Sequence, residues 1–101
     1  MFRDLGDRSG LAKALNSLGE LSLRSSAPQE ARSHHAEALA IARELDTSAE
    51  QARALEGIGH SLLHQDPAEA AVHLRQALEI YQNIGVPGAR RVQATLDGHG
   101  L

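Results

Sequence analysis

The stretch ALNSLGELSL, residues 14–23, returns as ALEGIGHSLL, residues 54–63. Ala14 aligns with Ala54, Leu15 with Leu55, Leu18 with Ile58 and Gly19 with Gly59, all 40 residues apart. A second pair behaves the same way. EARSHHAEALAIA, residues 30–42, aligns with EAAVHLRQALEIY, residues 69–81, matching Ala31 with Ala70, Ala38 with Ala77, Leu39 with Leu78 and Ile41 with Ile80 at an interval of 39. Two segments that share a period and an order of small and large residues form a helix–turn–helix repeat, and the second copy has lost one residue between its helices.

Local signals set the helix boundaries. Asp7 or Ser9 can open a first helix running to about Arg24, with Leu11, Ala14, Leu15, Leu18 and Leu21/Ser22 expected on one apolar face. SSAPQE breaks it, and Pro28 suits the first turn of a second helix that continues to about Leu45, with Glu30 and Glu37 along it. Thr47 and Glu50 have capping-box spacing for a third helix ending near Gln65. Pro67, within DPAE, starts a fourth that stops at Gly85, a C′ glycine, and a short fifth helix spans about Pro87 to Asp97. No strand pattern interrupts this series. Gly19 and Gly59 lie inside helical patterns, where each costs about 1 kcal/mol relative to Ala. Their recurrence predicts a contact too tight for a methyl group, with Ala31/Ala70 and Ala38/Ala77 expected opposite them.

The expected fold is therefore all-α: antiparallel helical hairpins, two repeats at about 8–45 and 48–84, and a capping helix at about 87–97, together one domain over residues 1–101. Hydrophobic residues form 42% of the chain but aromatics only 2% (Phe2 and Tyr81), so the core must be built from Ala, Leu, Ile and Val. Ten Lys and Arg against 13 Asp and Glu, net charge -3, leave no basic face for gripping phosphates. Arg90 and Arg91 are read as a solvated spot. No window reaches the roughly 18 apolar residues of a membrane span. Cysteine is absent, which excludes disulfides and thiolate metal sites and suits a cytoplasmic setting.

LNSLGELSL…APQEARSHHAEAL and LEGIGHSLL…DPAEAAVHLRQAL resemble the tetratricopeptide repeat, an α–α superhelix. The matching signature is Leu15, Leu18, Gly19, Ala31, His35 and Ala38 in the first copy, and Leu55, Ile58, Gly59, Ala70, Leu74 and Ala77 in the second. Ser22 stands where an aromatic is usual, His35 where Phe or Tyr is usual, and the period of about 40 exceeds the family's common 34. The longer period is similar to that of helical regions in bacterial signal-transducing regulators. The run LGDRSGLAKAL…LGELS resembles repeats of actinobacterial SARP, NB-ARC and LuxR-type transcriptional regulators. The opening FRDLGD parallels YQNIGVP of residues 81–87, as if a preceding repeat ended there, so the chain is expected to be a fragment of a longer protein.

The resemblance implies a non-enzymatic interaction module whose first helices line a groove for a protein or peptide partner, or for other domains of the parent protein. By position the groove takes Lys13, Asn16, Glu20, Leu23 and Arg24 from the first copy and Arg53, Glu56, His60, Leu63 and His64 from the second. The lysine–asparagine clamp that some members use for a terminal carboxylate is not reproduced, because Glu56 replaces Asn16 and His60 replaces Glu20 in the second copy. Homodimerisation through exposed repeat ends, around Leu5, Leu11 and Leu15, is the alternative. His60 and His64, at i and i+4, share a helix face that can suit zinc, but no third ligand is obviously placed, Glu56 one turn earlier being the best candidate, and no H-E-x-x-H is present. His35 is expected to pack in the core with one nitrogen bonded, and His34 to face outward. No catalytic residue, metal or cofactor is expected.

Overall fold

The computed structural model describes residues 5–101, with side chains from Asp7 onward. Phe2 to Asp4 and the Leu5 side chain, which carry part of the expected likeness to residues 81–87 and part of the expected exposed end, lie outside the described residues. Five helices follow one another: α1 (Leu5–Arg24), α2 (Pro28–Leu45), α3 (Ser48–Leu62), α4 (Pro67–Ile84) and α5 (Gly88–Gly98). Among the described residues there is no strand. α1 packs on α2, α3 on α4, and α3 also lies against α2 and α1; α5 packs on α4. The stack measures 46 × 30 × 18 Å.

The turns follow the local chemistry, with three differences from expectation. The first is that α1 is already helical at Leu5, so Asp7 and Ser9 lie within it and do not open it. α2 and α4 both begin with proline, whose missing N–H is no loss in a first turn. Asp66 caps α4 by accepting from the Glu69 N–H at 3.2 Å. Gly85 ends α4 at φ 70 and serves as the left-handed C-cap. Asp46 does the same for α2 at φ 56, and Ser26 follows α1 at φ 61, two non-glycine left-handed residues that carry no glycine signal in the sequence. The expected capping box at Thr47 and Glu50 does not form. Thr47 Oγ1 donates instead to the Ala42 carbonyl at 3.3 Å, because the Glu50 carboxylate is drawn away to Asn16 and Arg53. α3 stops at Leu62, earlier than expected, since Gln65 and Asp66 turn back to bond the Leu62 carbonyl.

The interior is alanine and leucine: Ala12, Ala31, Ala38, Ala42, Ala52, Ala54, Ala70 and Ala77 are wholly buried, with Leu55, Ile58, Leu62 and Leu74 around them. Ala12, Ala52 and Val92 recur every 40 residues and are all fully buried. α5 thus sits as α1 and α3 do, a first helix in sequence position as well as an end cover. Leu18 departs from its expected core role. It is 45% exposed, although Ile58, its counterpart, is 6% exposed. The reason is positional: α3 has α1 and α2 on the side where α1, first in the stack, has no described neighbour.

The glycines hold a tight contact, chiefly against a large side chain and only secondarily against alanine. An added Cβ at Gly19 would overlap the His35 ring, and so would one at Gly57. At Gly59 it would stand 2.6 Å from Leu74 Cγ and 3.2 Å from the Ala70 carbonyl oxygen. His35 and Leu74 are the matched residues of the two second helices. The recurring glycine therefore makes room for a large side chain, with alanine completing the surroundings.

Candidate interaction groove

First helices α1 and α3, with α5 beside them, place polar side chains along one side of the stack. A recess of about 460 Å³ is lined by Glu20, Leu23, Arg24, Arg53, Glu56, Gly57, His60, Tyr81 and Arg91. A second recess of about 570 Å³ adjoins it through Leu23 and His60 and includes Leu63 and His64. Eight of the ten residues assigned to the groove by sequence position line one or both recesses. Lys13 is exposed further along α1. Asn16 is wholly buried and so lies beneath the groove instead of lining it.

Two polar networks form the floor. In the first, His35 Nδ1 meets Asn16 Oδ1 at 2.8 Å; the amide oxygen can only accept, so Nδ1 carries the proton. Asn16 Nδ2 donates onward to Glu50 Oε1 at 2.9 Å. Arg53 then ties Glu50 to α1: its guanidinium reaches Glu50 at 3.3 Å, grips Glu20 through two bonds of 2.7 and 3.0 Å, and donates to Ser17 Oγ at 3.1 Å. The paired guanidinium lowers the Glu20 pKa, and the Glu20 carboxylate raises that of Arg53. His35 Nε2, enclosed between Gly19 and Gly57, has no partner. Burial pushes the His35 pKa down to about 4, so the ring is neutral in the folded protein at ordinary pH.

Glu56 centres the second network. Tyr81 donates its hydroxyl to Oε1 at 2.9 Å, and Arg91 of α5 donates through Nε to Oε2 at 2.7 Å and through Nη2 to Oε1 at 2.8 Å. The Arg91 guanidinium also lies 5.7 Å from the Tyr81 ring centre. Burial alone would raise the Glu56 pKa, but bonds from Arg91, His60 and Tyr81 outweigh it and hold the carboxyl down at about 2. Burial and the nearby Glu56 carboxylate raise the Tyr81 pKa. Glu56 is therefore a tie between α3, α4 and α5, not a freely presented groove residue. Asn16 and Glu56, matched in the two copies, do the same job with different chemistry: each is buried on one first helix and bonds to the next.

Sequence position alone did not mark Gly57, Tyr81 or Arg91 as part of this site. Gly57 has no match in the first copy, where Ser17 stands, and Arg91 belongs to a helix too short for its period to show. His60 Nε2 stands 3.7 Å from Glu56, while the His64 ring meets that of His99 edge-on at 6.4 Å. Among the described residues no group of three or more His, Cys, Asp or Glu is placed to hold a metal ion. His34, expected to face outward, is half-buried and its Nδ1 has no partner. No helix among the described residues is long and apolar enough to cross a membrane.

The groove has charged and apolar side chains that can engage a polypeptide, held by buried ties that keep the three first helices in fixed relation. The profile of the tetratricopeptide repeat matches residues 10–83. No curated protein and no solved structure matches the chain. Repeats of this kind are non-catalytic and generally mediate contacts between proteins. With its paired helices, its recurring glycines and a family match across most of its length, the chain belongs to the tetratricopeptide repeat family.

Proposed function

We propose that this chain binds an extended protein segment along the groove of α1, α3 and α5, as the regulatory or sensing part of a bacterial transcriptional regulator in the cytoplasm. The observation that carries the binding is the groove itself. Leu23, Arg24 and His60 border its open space, and the buried networks of Asn16 and Glu56 fix its floor. A rigid groove loses little conformational freedom on binding, which favours recognition of a flexible segment. Arg53 and Arg91 are engaged by Glu20, Glu50 and Glu56, which leaves Arg24 as the lining cation without an acidic partner among the described residues. A segment with an acidic residue beside an apolar anchor therefore suits the groove. One such cation is too little to serve a nucleic-acid backbone.

Selection from a displayed random peptide library tests this. Enriched acidic peptides whose binding is lost with Arg24→Glu or Leu23→Asp, but kept with Arg75→Glu on α4, support the groove. Enriched peptides indifferent to both groove variants overturn it. The regulator role is supported by the resemblance of the repeat run to actinobacterial regulators. A parent reading frame with a DNA-binding or nucleotide-binding domain beside these repeats agrees with it, and one joined to neither counts against it.

Self-association is a second reading, favoured by one observation. Leu11, Leu18 and Leu21 are 47, 45 and 52% exposed along a single helix, whereas Leu15, expected at that exposed end, is buried in the core.

A further inference from the structure

The apolar stripe of α1 consists of Leu11, Ala14, Leu18 and Leu21, spaced by three, four and three residues. That is the seam spacing of a helix that pairs with another helix. All four residues are exposed, whereas Ala54, Ile58 and Ser61, the counterparts of the last three on α3, are buried inside the stack. The stripe has the composition of an internal packing face without a described cover.

Its order carries more information than its composition. Leu11 and Leu21 stand five residues either side of Asn16, and Ala14 and Leu18 stand two residues either side. A two-fold interface must be self-complementary, each residue meeting its mirror position on the other copy. An antiparallel α1 pair centred at the level of residue 16 satisfies this: Leu11 faces Leu21, and small Ala14 receives large Leu18. Charge does not oppose it. Gly10, Ser17, Ser22 and Ser25 flank the seam, and Arg24 of one copy stands beside Gly10 of the other. Lys13 and Glu20 lie on the far side of α1, towards the groove, and Arg8 is paired with Glu44.

We propose that two copies of this chain associate through α1, antiparallel, with Leu11 opposite Leu21 and Ala14 opposite Leu18. The proposal rests on the self-association reading and adds to it a face, an orientation and a register; groove binding can fail without touching it. The stripe between Leu11 and Leu21 is about 15 Å long. Such a seam buries well under the roughly 800 Å² per partner of a stable complex, so the dimer is weak and concentration-dependent.

Sedimentation equilibrium of the full chain from about 10 µM to about 1 mM tests association across the range expected of so small an interface. The expected result is a mass rising from 10.8 kDa towards twice that value. Leu18→Glu should keep the monomer mass throughout with an unchanged circular dichroism spectrum. A monomer mass at every concentration for the unaltered chain overturns both the proposal and the self-association reading. Because the protein has no cysteine, register can be read by disulfide trapping. Leu11→Cys mixed with Leu21→Cys should cross-link at least tenfold faster than either variant with itself. A dimer in which Leu11→Cys links fastest to itself overturns the proposal and leaves self-association standing.

Discussion

His35 is a buried ring in a repeat whose second copy uses leucine at the same place. Its folded pKa of about 4, against 6.5 for an unburied histidine, makes it an acid-sensitive point in the core. The unfolded chain takes up the proton first, as pH falls through 6.5, and the folded chain resists until about 4. The stabilisation from keeping the ring neutral is therefore complete above pH 6.5, declines between 6.5 and 4, and changes no further below; its full loss is about 3 kcal/mol. Glu56 acts in a lower window. Its folded pKa of about 2 lies below the ordinary 4.5, so its contribution is present above pH 4.5 and falls away between 4.5 and 2. Urea unfolding at a series of pH values should show stability falling from pH 6.5 downward, and His35→Leu should remove most of the fall between 6.5 and 4.5. An unchanged slope in that variant would assign the transition to another group.

The same ring explains two glycines. Gly57→Ala should destabilise by about 2 kcal/mol, since the added methyl group overlaps the buried His35 ring. The cost belongs to the pair. In a double-mutant cycle His35→Ala should restore most of what Gly57→Ala loses, a coupling of at least about 1 kcal/mol. Additive losses would mean that the methyl group is harmful for another reason, such as backbone crowding within α3.

At the level of the helices, the repeat was legible because its physics is periodic. Leu15 with Leu55, Ala31 with Ala70 and Gly19 with Gly59 give the hairpins, and Pro28, Pro67 and Gly85 mark three of their ends. What was not legible has a common cause: it depends on which neighbour a helix meets. Leu18 and Ile58 are near-identical in sequence context yet one is exposed and one buried, because among the described residues α3 has helices stacked on that face and α1 has none. Asn16 and Glu56 looked like groove residues by position, but each reaches the following first helix and becomes buried. Arg91 has no repeat partner of its own kind, since Gln51 stands 40 residues before it. α5 relies on that side chain. Replacing Arg91 by Ala leaves the Glu56 carboxylate buried with only Tyr81 and His60 nearby, and the loss of a partner for a buried charge is costly. The Arg91 side chain is itself 58% exposed, so solvent reduces the effect to about 1–2 kcal/mol. Amide hydrogen exchange should then speed up in α5 while α1 and α2 keep their protection; uniform acceleration would show that Arg91 supports the whole stack.

Across the whole molecule, stability should be graded by position. Nine residues of the 15-residue α3 are buried, and it alone packs on α1, α2 and α4 together. α1 and α5 are the outer described helices and lie against fewer described neighbours than α3. In a stack whose units touch only those beside them, local opening starts at the ends and the middle opens last. Amides of α3 around Leu55 and Ile58 should therefore exchange at the rate of global unfolding, with those of α5 and the outer face of α1 exchanging faster. Groove binding draws on this order, because its lining comes from α1, α3 and α5: an occupant that spans all three must slow exchange in α5 most, where the free protein opens most readily. Equal protection of α3 and α5 in the free chain would show instead that the five helices unfold as one unit, and that the groove is as firm at its end as at its centre.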